Sequence, residues 1–184
     1  MKNNNVQLDQ QFLKKLKRKA ELCRFAHSEL KAEYKVRRNL KEFSILILSV
    51  ILVALINLYY RKLLEGDHIL LLLWVLPLLT TIIQALDHTV FQWTNKAGKH
   101  ESAVTIWGHW LREADFLEKH IHRYTADIMN EKIQHIQEKY NSCMNSTNQI
   151  PNNKFLKYKK RFKMYVLKSQ AIDEMFLKDI ENKK

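Results

Sequence analysis

The sequence predicts an all-α membrane protein in which a two-helix transmembrane hairpin is joined to long cytoplasmic helices that form a helical bundle. Two uncharged stretches of 18 residues, 43–60 and 69–86, predict the hairpin. At 1.5 Å per residue each spans about 27 Å, close to the hydrocarbon thickness of a bilayer. Elsewhere the apolar residues recur at steps of three and four, and no segment shows the alternation of a strand.

The charge is strongly segregated from the apolar residues. The chain of 184 residues holds 31 Lys and Arg against 19 Asp and Glu, a net charge of +12, and most of the charge lies outside residues 43–93. Such a balance is typical of nucleic-acid binding or of a protein held beside an anionic leaflet, and the hairpin favours the leaflet. The two cysteines, Cys23 and Cys143, are far apart, which argues against a disulfide framework and for a reducing cytoplasm.

The first 42 residues are predicted to form a basic amphipathic helix in the cytoplasm. They contain twelve basic and five acidic residues and neither Gly nor Pro, and their apolar residues follow helical spacing. This helix either ends before the membrane or continues into the first transmembrane helix.

The orientation of the hairpin follows from the basic residues near its ends. Five lie just before the first helix, two in the connector 61–68, and two after the second helix: Lys31, Lys35, Arg37, Arg38, Lys41; Arg61, Lys62; Lys96, Lys99. The excess outside the connector predicts that both termini are cytoplasmic. Glu65-Gly66-Asp67 provides the turn signal of the connector.

The segment after the hairpin, 94–140, is predicted to be one long cytoplasmic helix after a break at 95–98. Its apolar stripe moves in phase by one residue at Met129, and a helix of this length needs a partner for the stripe. The partner is the N-terminal helix, another subunit, or both. A polar linker is predicted at 141–153, and a basic-aromatic helix at 154–184.

No catalytic pattern is found in the sequence. Three glycines and the lack of a Gly-x-Ser-x-Gly motif argue against a nucleotide-cradling loop and a hydrolase elbow. Among the eight histidines, His120 and His122 point to different sides of a helix, while His109 and Glu113 share one. We therefore expect no enzyme activity, no cofactor and no metal site.

Polar residues within the hairpin form the first candidate site. Ser49 and Asn57 are nearly aligned on the first helix, and a set of polar residues falls on one side of the second: Pro77, Thr80, Thr81, Gln84, Asp87 and His88. Polar groups are disfavoured against lipid, so both sets should face protein or water. Two interpretations stay open, helix packing and the lining of a pore, and the pore requires a homo-oligomer because one hairpin cannot enclose a channel.

A basic run near the C-terminus forms the second candidate site. Aromatic residues are interleaved with its charges, which are Lys157, Lys159, Lys160, Arg161 and Lys163. The pattern is typical of a site for an acidic ligand or nucleic acid. A solvated face that attracts the anionic inner leaflet is the alternative.

The whole organisation resembles the SLATT domains, the SMODS- and SLOG-associating two-transmembrane effector domains. The resemblance rests on the basic first helix, the closely spaced hairpin, the segment Trp107–Ala114 (WGHWLREA) and the aromatic-basic segment at 154–163. It implies an oligomeric pore-forming or membrane-disrupting effector of a bacterial antiphage (abortive infection) system, located in the inner membrane.

The resemblance also implies partners. A nucleotide signal or a partner protein would trigger the effector, and the partner would be a nucleotide second-messenger synthase or sensor, or a reverse transcriptase. The family offers no active-site residues to compare. The alternative function is a non-catalytic, membrane-anchored scaffold or interaction protein.

Overall fold

The protein is all-helical in the computed structural model, which describes residues 2–61 and 66–181. Those residues form five α-helices and no strand: α1 Lys2–Tyr60, α2 Asp67–Leu86, α3 Trp93–Lys119, α4 Ala126–Ser146 and α5 Asn152–Glu181. The predicted all-α class is confirmed. The connector residues 62–65, including the predicted turn residue Glu65 and the loop charge Lys62, lie outside the described residues. Gly66 has a φ of 138°, a conformation that glycine adopts at little cost.

Helix α1 answers the question that the sequence left open, because the basic N-terminal segment and the first apolar stretch are one helix of 59 residues. No Gly or Pro interrupts its amide ladder. The hydroxyls of Ser44 and Ser49 donate to the carbonyls of Leu40 and Ile45, at 2.9 and 2.8 Å. These polar groups are therefore satisfied inside the helix, at positions where the neighbouring side chains are apolar.

The break after the second apolar stretch lies earlier than predicted. Helix α2 passes into a π-helical turn at Asp87–Phe91, and Gln92 then adopts the left-handed conformation with a φ of 49°. Residues 95–98, the predicted break, belong to α3. That prediction gave Gly98 too much weight, since an isolated glycine costs a helix only about 1 kcal/mol.

The two apolar stretches lie in helices that are long and apolar enough to cross a membrane. Most residues of the two apolar stretches are exposed, and the one that counts as buried is Leu76, with 9% of its surface exposed. Trp74 is 79% exposed and Val53 65%. The core helix of a soluble protein would bury such side chains, so this exposure is the reverse of what a soluble core requires.

The chain divides into two compact units, residues 31–98 (the hairpin unit) and residues 1–30 with 99–184 (the helical unit). In the helical unit, α1, α3 and α4 pack around an apolar core. Its buried members are Leu13, Leu16, Ala20, Trp107, Trp110, Leu111, Ala114, Leu117, Ile121, Met129, Ile133 and Ile136. The apolar stripe that was predicted to need a partner therefore packs against α1.

The predicted single helix over 94–140 is wrong, because α3 ends at Lys119 and α4 begins at Ala126. A 3-10 turn at Ile121–Arg123 separates them, and Ile121 is buried in the core. The turn lets α4 pack against α3, where the Trp110 indole N–H donates to the carbonyl of Ile136 at 3.0 Å. The change of phase at Met129 was the trace of this turn in the sequence.

The linker between the last two helices is shorter than the predicted 141–153. Helix α4 extends to Ser146, and α5 begins at Asn152 rather than Lys154. The Cys143 carbonyl accepts from the Thr147 backbone N–H at 3.1 Å, and the Pro151 carbonyl accepts from that of Phe155 at 2.8 Å. Backbone hydrogen bonds thus order both ends of the segment 141–153, which its polar composition had predicted to be a linker.

Candidate functional site

The inner face of the hairpin is apolar and follows helical spacing. Positions that are less exposed than their neighbours recur every three or four residues in both helices: Ile45, Leu48, Leu52 and Leu55 in α1; Leu73, Leu76, Thr80 and Ile83 in α2. Leu76 is the most buried of them, with 9% of its surface exposed. This pattern is what two antiparallel helices produce when each covers one stripe of the other.

The predicted polar stripe of α2 is divided between two faces. Thr80 lies on the partly buried inner stripe, whereas Pro77, Thr81 and Gln84 are exposed. The exposed three recur at steps of four and three, so they form one continuous outer stripe on an otherwise apolar helix. In α1, Ser49 and Asn57 are exposed as well, and no hydrogen bond joins them to α2 among the described residues.

The hydroxyls of α2 converge on one backbone carbonyl. Thr80 and Thr81 both donate to the oxygen of Pro77, at 2.8 and 2.9 Å. Pro77 lacks an amide hydrogen and deprives the preceding turn of one backbone bond, which is how proline bends a helix. The three predicted residues therefore form one local arrangement, in which both threonine hydroxyls donate to the carbonyl of Pro77.

An ion pair at the end of the hairpin was missed by the sequence interpretation. Lys41 of α1 and Asp87, at the start of the π-helical turn, form a salt bridge, with only 14% and 11% of their side-chain surfaces exposed. The second carboxylate oxygen of Asp87 accepts from the backbone N–H of Trp93 at 3.2 Å. Lys41 was counted only for orientation and Asp87 only as part of the polar stripe. Their opposite charges, just before the first apolar stretch and just after the second, were the available signal, because an antiparallel hairpin brings these two positions to the same end.

Gln84 lies beside this ion pair. It lines a polar cavity of about 420 Å³ together with Lys41, Asp87, His88 and Gln92. The exposed polar stripe therefore ends in a charged, open pocket at one end of the hairpin. Carbonyl, amide, hydroxyl and carboxylate groups along one stripe can form hydrogen bonds with water and coordinate ions, or they can form hydrogen bonds between helices of different subunits.

The basic run of α5 separates into engaged and available charges. Arg161 forms a salt bridge with Glu29 at 2.6 Å, and Lys157 is also engaged. Lys159, Lys160 and Lys163 line a groove of about 840 Å³ between α1 and α5, where Arg18 and Lys19 add further positive charge. Three of the five predicted cations therefore line this groove.

The aromatic residues of the run are packed against the helical unit. Tyr158 is fully buried, and the ring of Phe162 lies 5.5 Å from that of Phe25. Nucleic-acid binding by such a run would use exposed rings for stacking on bases. The arrangement favours contacts with the charge of an acidic ligand or lipid over base stacking.

Two histidines form a buried pair in the helical unit. The Nδ1 atoms of His27 and His100 lie 2.8 Å apart, and the side chains are 2% and 5% exposed. Burial, and secondarily the neighbouring His100, lowers the pKa of His27 from 6.5 to about 4. Burial also lowers the pKa of His100, to which the charge of Lys154 contributes. Among the described residues no group of three or more His, Cys, Asp or Glu side chains could hold a metal ion.

Comparison with protein-family models, with curated proteins and with solved structures finds no match for this chain.

Proposed function

We propose that the protein is an oligomeric pore-forming or membrane-disrupting effector of a bacterial antiphage system, inserted in the inner membrane with both termini in the cytoplasm. The outer stripe of Pro77, Thr81 and Gln84 carries this proposal. Polar groups on a lipid-facing surface are costly, and within one chain the other helix of the hairpin leaves the stripe exposed. A second copy or a column of water is the environment that suits it.

Several hairpins arranged in a ring would turn these stripes toward a common axis. The Pro77 carbonyl and the Thr81 hydroxyl would then lie near the middle of the membrane, and Gln84 near its cytoplasmic side. The apolar residues on the remaining faces, such as Trp74 and Leu78, would contact lipid. The pore is therefore a property of the assembly.

The helical unit is the part of the chain that would hold the hairpins in a closed arrangement. The resemblance to SLATT domains supports a role in abortive infection, with a nucleotide signal or a defence-system protein as the trigger. The lysines along α5 supply a surface for an acidic partner or for the anionic inner leaflet.

Membrane potential during induction tests this function. Cells that produce the protein should depolarise before growth stops, as reported by a potential-sensitive dye. Gln84→Leu should reduce the depolarisation at equal protein level, because it removes a polar group from the stripe. Leu78→Ala, a change on an exposed apolar position of the same helix, should retain it. Growth arrest with an intact potential would reject the pore.

A scaffold held by the hairpin is the second candidate, and one observation favours it. The hydroxyls of Thr80 and Thr81 are satisfied by the Pro77 carbonyl, so they do not require water. A scaffold predicts that Gln84→Leu leaves cellular activity unchanged, and that a variant lacking residues 43–93 keeps it. The two variants together separate the scaffold from the pore.

A further inference from the structure

The helical unit contains a cavity that the proposed pore does not use. It has a volume of about 500 Å³ and lies among α1, α3, α4 and α5, and we call it the Trp107 cavity. The side chains that define it are Trp107, Tyr140, Phe155, Lys19 and Lys159. Its volume falls within the range of small-molecule sites, which are mostly apolar with a few polar groups that fix orientation.

Aromatic rings and amides form the walls of the Trp107 cavity. The rings of Trp107 and Tyr140 meet edge to face, with centroids 5.3 Å apart, and α5 contributes Phe155. The connection between α4 and α5 contributes the amides of Asn148 and Gln149. Flat apolar walls with amides at one side suit a planar ring that carries polar edges.

The charges around the cavity have one sign. Lys19 from α1 and Lys159 from α5 line it, and no acidic residue does so among the described residues. The same two lysines also line the neighbouring basic groove, so they stand where the two spaces adjoin. Positive charge at this point favours an anion, to which a lysine can donate charge-assisted hydrogen bonds.

A buried donor in the wall lacks an acceptor. The Trp107 side chain is fully buried, and its indole N–H has no hydrogen-bond partner among the described residues. Its neighbour Trp110 donates its own indole N–H to the Ile136 carbonyl at 3.0 Å. Buried donors are normally paired, so the Trp107 N–H would gain a partner if the wall of the cavity shifted to admit an acceptor of the ligand.

We propose that the Trp107 cavity binds a small aromatic anion, a planar ring with a hydrogen-bond acceptor for Trp107 and a carboxylate or phosphate for Lys19 and Lys159. Aromatic carboxylates and nucleoside monophosphates share this chemistry. The site goes beyond the proposed pore, and binding alone tests it, so a failure of one does not decide the other.

Titration calorimetry on the full chain purified in detergent separates the two sources. The probes are indole-3-carboxylate and adenosine monophosphate, with indole, adenosine and inorganic phosphate as the matched compounds that lack the charge or the ring. One of the two anions should bind with 1:1 stoichiometry, and its matched compounds should bind at least tenfold more weakly. Absence of binding by both anions at millimolar concentration would overturn the proposal.

Two tryptophan variants then locate the site. Trp107→Phe should weaken binding by about tenfold, the effect of one lost hydrogen bond, and should also lower the melting temperature of the free protein, because the smaller ring leaves a gap in the core. Trp110→Phe should lower the melting temperature and leave the affinity unchanged, because its donor is used inside the protein. Equal affinities of Trp107→Phe and the unaltered protein would place the ligand elsewhere.

Two exposed lysines provide variants that do not threaten folding. Lys19→Gln and Lys159→Gln should each weaken binding several-fold, whereas Lys15→Gln, an exposed position on the same helix as Lys19, should not. Equal losses from all three would show that net charge alone attracts the anion, and would reject a defined site.

Discussion

At the scale of single residues, the histidine pair shows how burial fixes a protonation state. A hydrogen bond between two Nδ1 atoms at 2.8 Å requires one ring to donate and the other to accept. Protonating both rings would set two N–H groups against each other inside the helical unit. The pair is therefore compatible with neutral histidines. The lowered pKa of His27 agrees with this, because it means that the neutral ring is favoured in the folded chain.

Stability should fall with acid across a defined pH window. The pKa of His27 is about 4 in the folded chain against an ordinary value of 6.5, so the unfolded chain binds the proton first. Between pH 6.5 and 4 the free energy of unfolding should drop by about 1.4 kcal/mol per pH unit from this group. His27→Gln should flatten that part of the profile, as measured by denaturant unfolding in micelles; parallel profiles for both proteins would contradict this assignment.

The salt bridge of Lys41 and Asp87 should matter more than an exposed pair on the same helix. Asp87→Asn removes the partner of a mostly buried ammonium and weakens the bond to the Trp93 amide. We expect Asp87→Asn to lower the free energy of unfolding by about 2 kcal/mol. In the double variant with Lys41→Gln, the free energy of unfolding should fall by less than the sum of the two single losses.

The control for this pair is Glu42→Gln, which breaks an exposed contact with Arg38 at 3.5 Å. Its cost should be at most about 0.5 kcal/mol. Reversible unfolding in micelles compares the unaltered protein with these four variants. Additive losses at Lys41 and Asp87 would show that the two side chains are not energetically coupled.

At the scale of elements, the sequence predicted what depends on composition and spacing. Charge-free length was sufficient to predict the two apolar helices, and the spacing of the apolar residues was sufficient for the helical class. The ends of α3 were not predictable in this way. The break at Gln92 depends on the wide turn and the Asp87 contacts, and the break after Lys119 depends on burying Ile121, both of which are tertiary effects.

The junction between α2 and α3 should gain stability from a single glycine. Gln92 has a φ of 49°, in the left-handed region where a side chain costs about 1 kcal/mol. Gln92→Gly should therefore raise the free energy of unfolding by about 0.5 kcal/mol after the added flexibility of the unfolded chain. Gln92→Ala keeps the strained Cβ and should bring no gain; equal effects of both substitutions, measured by thermal unfolding in micelles, would argue against strain at this position.

At the scale of the whole molecule, the candidate residues were predicted individually and their grouping was not. Spacing alone put Thr80, Thr81 and Gln84 on one side of α2, but the inner face of the hairpin claims Thr80. Spacing likewise could not tell which lysines of α5 would be engaged, because Glu29 is remote from Arg161 in sequence. Contacts over such separations depend on the packing of the helices.

Access of water to the outer stripe distinguishes a pore from packed helices. In a Cys23→Ala, Cys143→Ala background, Thr81→Cys and Ile82→Cys place a thiol at nearly the same depth, one residue and about 100° apart on α2. Ile82 is an exposed apolar position. In membranes of depolarised cells, a water-soluble cationic thiol reagent should modify the cysteine at 81 at least tenfold faster than the one at 82, because only the stripe would face water. Equal, slow modification of both in cells that have lost their potential would mean that the stripe packs between subunits and that ions cross elsewhere.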